Sequence, residues 1–218
     1  MEQEDVCIRF DWVMRYKLKD KSNFGILKGF ISVLLGEDVR IIDLIEGESN
    51  KESDSDKVNR IDIKATNSNG DLIIVEILLT TKLQYYEKLY RGLCPVISKC
   101  HYTKKIFEGI KKVYSINILY CNYGRGDDCV YKGNSHLNLK GLHTGIELVM
   151  NPLIEGVIIP HLPDEVSPEY YILRINEYDK IPETPLDEWM TYLKTGKVKK
   201  NTRTPGLQEV KKNFRYNQ

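Results

Sequence analysis

Glu76 lies inside the run Leu72-Ile73-Ile74-Val75-Glu76-Ile77-Leu78-Leu79. An ionised carboxylate in so apolar a stretch carries a large desolvation cost unless a cation or hydrogen-bond donors offset it. A second acid, Asp62, occupies the polar side of the alternating segment Arg60-Ile61-Asp62-Ile63-Lys64-Ala65. Whether the two meet depends on the turn between them. A two-residue Asn69-Gly70 loop pairs Ile63 with Glu76 and sends the acids to opposite faces. A three-residue loop over residues 68–70, with Gly70 left-handed, pairs Asn67 with Asp71 and therefore Asp62 with Glu76. Their β-carbons would then be only ~5 Å apart, close enough to share a metal ion. Magnesium suits two carboxylates whose remaining positions go to water and phosphate, with manganese as a substitute. Such an ion activates water against a phosphodiester. The other reading of the same residues is that Asp62 and Glu76 are strand acids paired with Arg60 and Lys64.

The elements that must position these groups read as α/β. Phe24, Leu27, Phe30, Ile31, Leu34 and Leu35 recur at helical spacing, with Ser22 and Asn23 available as caps and Gly36 as a stop. Lys28 and Ser32 fall on the opposite side, while Gly25 and Gly29 weaken the helical pattern. A short strand is expected over 40–45, an acidic, serine-rich surface loop over 46–58, and strands over 60–65 and 72–79. A long helical pattern runs from about Lys82 to Lys112, with a break near Leu93 caused by Pro95. Strands follow over 113–123 and 170–175, and 129–132 returns as a hairpin after the turn at 124–128. The stretch 137–149 has no readable period. Thr184 caps a helix over 186–193 that Gly196 closes. After Gly196 seven basic residues face only Glu209, which reads as a loosely ordered basic tail over 197–218, appended to a domain spanning 1–196.

With 218 residues, 41% hydrophobic and 29% charged, the chain can bury a real core. A net charge of +1 argues against a uniformly basic coat, so any phosphate-binding surface must be a local patch. Five cysteines without a CxxC pair or cysteine–histidine spacing are expected to be reduced thiols in a cytoplasm. No basic-then-apolar leader opens the sequence and no apolar run reaches the ~20 residues of a membrane helix. The expectation is a cytoplasmic protein without membrane contact.

Several segments, in order, resemble the transposase-like PD-(D/E)XK nucleases that promote recombination in bacteria. They are Arg9-Phe10-Asp11-Trp12, Phe30-Ile31-Ser32-Val33-Leu34-Leu35-Gly36, Asp56-Lys57-Val58-Asn59-Arg60-Ile61-Asp62-Ile63, residues 72–77, Val113-Tyr114-Ser115-Ile116-Asn117-Ile118 and Gly141-Leu142-His143-Thr144. The resemblance covers most of the chain, from Arg9 to about Gly196. It implies a restriction-endonuclease-like PD-(D/E)XK core, a mixed central sheet flanked by helices. It also implies Asp62 and Glu76 as metal ligands with the Ile77 carbonyl as a third, and hydrolysis of DNA. The motif expects Glu-x-Lys or Glu-x-Gln, whereas this chain has Glu76-Ile77-Leu78. Leucine has no polar atom to position water or stabilise charge, so impaired turnover is expected, or a descendant that only binds DNA or a protein. Arg60, Lys64, Gln84 and Lys88 are the candidates to replace the missing group. Lys82, Lys88 and Arg91 are expected to contact DNA, and a homodimer is compatible with the reading. Asp11 is a candidate additional acid. Of His101, His136, His143 and His161, only His143 falls in a matching segment.

Overall fold

The computed structural model describes residues 21–45, 59–80, 110–122, 124–133, 140–147 and 169–214. The loop at 46–58, the helical pattern up to residue 109, Asp11, Gln84, His101, His136, His161 and the expected DNA contacts Lys82, Lys88 and Arg91 lie outside them. Two compact units divide the chain: residues 42–177, and residues 1–41 together with 178–218.

The first unit carries a mixed seven-stranded sheet in the order β1-β2-β3-β4-β7-β5-β6. The strands are β1 (Arg40–Leu44), β2 (Asn59–Thr66), β3 (Leu72–Thr80), β4 (Ile110–Leu119), β5 (Val130–Gly133), β6 (Lys140–Gly141) and β7 (Glu169–Arg174). β3 pairs antiparallel with β2 and parallel with β4, and β4 pairs parallel with β7. Residues 110–112, expected at the end of a helix, instead begin β4. There Lys112 reaches Glu169 on β7 at 2.7 Å, an ion pair that only the strand arrangement provides.

Strand periodicity separates two faces. Ile63, Ala65, Ile73, Val75, Ile77, Ile116, Ile118 and Leu173 project from one and are essentially inaccessible. The other face carries a polar row, Asp62, Glu76, Ser115 and Asn117, among Ile74, Leu78, Val113, Ile172 and Tyr131, all buried. Near-continuous apolar composition in β3 follows from its central position, with pairing on both edges and burial on both faces.

The second unit contains α1 (Phe24–Leu35), α2 (Pro185–Thr195) and α3 (Leu207–Phe214). Gly36 ends α1 in the left-handed conformation at φ 72°. Thr184 and Asp187 form a reciprocal capping box at the start of α2. Phe30 meets Trp189 at 5.1 Å between ring centres, and Trp189 Nε1 donates to the Pro205 carbonyl.

Residues 197–214 are not the loosely ordered tail that the charge of this stretch suggested. Thr202 and Thr204 donate their hydroxyls to Glu188, and Leu207 and Val210 are 1% exposed. Its lysines had hidden a short apolar pair at i, i+3 spacing, which is enough to bury one side of α3. The chain passes so close to α1 that a β-carbon on Gly29 would sit 2.3 Å from the Gly206 nitrogen and 2.4 Å from the Pro205 carbonyl carbon. Glycine in α1 is thus a packing requirement. In open helix, Gly29→Ala would gain about 1 kcal/mol from propensity. Here the overlap with backbone should outweigh that gain and lower stability by about 1–3 kcal/mol, read as a fall in the urea midpoint at unchanged slope.

Candidate active site on strands β2 and β3

The turn joining β2 to β3 sets everything that follows. Asn67 N donates to the Asp71 carbonyl at 3.1 Å, Gly70 N donates to the Asn67 carbonyl at 3.0 Å, and Gly70 has φ 81°. The Asn67 side chain reinforces the bend, its Oδ1 accepting from Asn69 N at 3.0 Å and Asp71 N at 2.9 Å. This is the three-residue loop. The register that results pairs Arg60 with Leu78, Asp62 with Glu76 and Lys64 with Ile74.

Asp62 and Glu76 therefore stand directly opposite each other on one face, 9% and 2% exposed. The Asp62 carbonyl accepts from Ile45 N at 2.8 Å, on the side away from β3. The facing pair is accordingly a non-hydrogen-bonded one, the kind in which cross-strand side chains come closest. Two buried carboxylates so close are held only where cations, protons or donors offset their repulsion. Hard oxygen donors in this arrangement fit a divalent ion such as magnesium.

Ile77 faces the other side of the sheet, in register with Ile61 and Ile116. Ladder alternation aims its carbonyl at β2, so as a third ligand it has only its second lone pair to offer. Lys64 shares the face of Asp62 and is partly exposed. Arg60 is placed by its backbone opposite Leu78. Leu78, where the resemblance leads one to expect lysine or glutamine, is apolar and 2% exposed.

Sequence reasoning did not single out Ser115 and Asn117 on β4. They lie in register with Glu76 and Leu78, and the Ser115 hydroxyl is 3.5 Å from Glu76 Oε2. The signal present in the sequence was two polar residues at i, i+2 in an otherwise apolar strand.

A second cluster sits near β5. Asp128, Cys129 and His143 place ligand-type atoms within 4.8 Å of one another. The Asp128 carboxylate, however, already accepts from the backbone N–H groups of Cys129, Val130, His143 and Thr144, and contacts His143 Nδ1 at 2.8 Å. With its oxygens so occupied, it is an anchor for the turn after β6 rather than an open metal ligand. Since a carboxylate only accepts, Nδ1 of His143 carries the proton. Burial alone would raise the Asp128 carboxyl, but the His143 side-chain bond and the backbone donors outweigh it and hold it well below the usual carboxylate range.

With fold and site in view, the class is that of an α/β protein whose central hairpin carries two buried acids in register on one face. Residues 8–215 match the family model described as PD-(D/E)XK nuclease family transposase, and the chain belongs to that family. No curated protein and no solved structure matches it significantly. None of the described helices is long and apolar enough to cross a membrane.

The depressed Asp128 carboxyl has a consequence for stability. A group whose folded value lies below its unfolded one, near 3.9, stabilises fully above that value and loses its contribution as pH falls toward the folded one. Asp128→Asn should therefore lower the melting temperature at pH 7 and narrow the gap to wild type steadily from about pH 4 downward. A gap independent of pH would mean that the carboxylate's charge is not what holds the turn.

Proposed function

We propose that the chain is a divalent-metal-dependent deoxyribonuclease hydrolysing phosphodiester bonds, with Asp62 and Glu76 holding the ion and with turnover lowered by Leu78. The observation that carries the reading is the placement of two buried carboxylates in register on one face, in a member of this family. When bound, magnesium, or manganese in its place, supplies an acidified water and neutralises charge developing on the phosphate.

The chain's own residues do the rest. Asp62 and Glu76 bind and orient. Lys64, on the Asp62 face, and Arg60, whose backbone lies across from Leu78, are assigned to position the attacking water or meet transition-state charge. Lys82, Lys88 and Arg91 are assigned to the DNA backbone, because a net charge of +1 demands a local patch. The proposed setting is the bacterial cytoplasm, with DNA as partner.

A second reading, a family member that binds DNA without cutting it, is favoured by one observation, the burial of leucine at the third motif position.

Plasmid cleavage separates the two. Wild type should cut slowly with magnesium or manganese and Asp62→Ala should not cut. Leu78→Lys or Leu78→Gln should raise the rate, by up to the hundred- to thousandfold that one transition-state donor typically supplies. Binding without cleavage in wild type and both Leu78 variants would establish the non-cutting reading. Lys88→Glu with Arg91→Glu should weaken DNA binding and flatten its salt dependence, measured by fluorescence anisotropy across ionic strengths.

A further inference from the structure

β4 contributes two buried polar side chains to the carboxylate face, and their hydrogen bonds have a fixed direction. The Asn117 amide nitrogen lies 3.2 Å from the Ser115 carbonyl, 3.3 Å from the Tyr171 carbonyl and 3.2 Å from Ser115 Oγ. Carbonyl oxygens only accept, so the amide must present its NH2 on this side; a flipped amide would set its oxygen against two others. The amide has two N–H protons for these three acceptors, and the Ser115 and Tyr171 carbonyls already accept in the β4–β7 ladder, so one proton is directed at Ser115 Oγ, which accepts from Asn117. Its own proton is left to be donated, and Glu76 Oε2, an acceptor at 3.5 Å, is where it is aimed. That distance is long for a hydroxyl bond and leaves room for the contact to tighten.

The cost of this arrangement needs a cause. Ser115 and Asn117 are 4% and 5% exposed, and apolar residues would occupy their places more cheaply. The Ser115 and Tyr171 carbonyls do not require the amide, since both lie on strands β4 and β7, which already pair with each other. What the pair supplies that apolar residues cannot is a directed donor to Glu76. Asn117 also stands in register with Leu78, so the amide enters the face one strand away from the position that lacks a polar group.

We propose that Ser115 and Asn117 form a positioning relay for the metal-binding carboxylate. Asn117 orients the Ser115 hydroxyl, and the hydroxyl holds Glu76 in the rotamer that serves the ion beside Asp62. The inference rests on the metal-dependent reading above. Outer groups that orient a ligand typically contribute ten- to hundredfold in metal affinity, which makes the relay measurable without any nuclease assay.

The test is Mn2+ affinity, followed by electron paramagnetic resonance on the full chain, with thermal melts to verify folding. Ser115→Ala should weaken Mn2+ binding on the order of tenfold, and Ser115→Thr, which keeps the hydroxyl, should bind as wild type does. Asn117→Leu should weaken binding in the wild-type background but add little to Ser115→Ala, because it acts through the hydroxyl. Wild-type affinity in Ser115→Ala, alongside loss in Asp62→Ala, overturns the relay and leaves the metal site standing. Fully additive effects of the two substitutions also overturn it. No Mn2+ binding by wild type, or binding untouched by Asp62→Ala, overturns both the relay and the reading beneath it. Should Asn117→Leu not fold, Ser115→Ala against Ser115→Thr decides.

Discussion

The structure of the site depends on the length of one turn. Side chains alternate across a strand with a period of two, so the pairing of Asp62 with Glu76 exists only because three residues, and not two, separate Asn67 from Asp71. Asn67 enforces the choice by accepting two backbone N–H groups with its own side chain, and Gly70 permits it by taking φ 81°. A slip of one residue would turn Asp62, Arg60 and Lys64 to the apolar face and bring Ile61, Ile63 and Ala65 to the polar one. Burial of Ile63 and Ala65 against such a slip helps to hold the carboxylates together. Core packing and site geometry are here the same constraint.

That constraint sets the energetics of the face. Burying one carboxylate is costly, and burying two in register is more so. Polar residues on a third strand accompany them, with Ser115 beside Glu76 and Asn117 beside Leu78. The mixed pairing of β3 makes this possible. Its antiparallel neighbour supplies the second acid through a short local connection, and its parallel neighbour supplies hydroxyl and amide from much further along the chain.

The same difference explains what could be read from the sequence. Asp62 and Glu76 stood out because a charge interrupts an apolar run and because Asn69-Gly70 marks a turn. Their meeting stayed open because two loop lengths were compatible with that dipeptide, and the deciding group, the side chain of Asn67, lies just outside it. Ser115 and Asn117 could not be placed, since the register of β4 on β3 is fixed by packing across a long connection and by no local signal. Asp128 and His143 are brought together in the same non-local way. The helix α3 was a different kind of miss. Leu207 and Val210 carried the periodicity, but lysine content dominated the reading of that segment.

Glu76 has one more effect, which precedes the finished fold. β3 is a nine-residue strand, LIIVEILLT, whose only formally charged residue is Glu76. Its parallel partner β4 does not begin until Ile110. While the chain is being synthesised, one edge of β3 has no native strand to pair with. An apolar, β-prone segment of low charge and without proline is the kind that adds to copies of itself in a cross-β stack. A single carboxylate at its middle sets like charges above one another in any in-register stack of this strand, and so disfavours self-association. The residue that makes the hairpin expensive to bury also guards it against aggregation before burial.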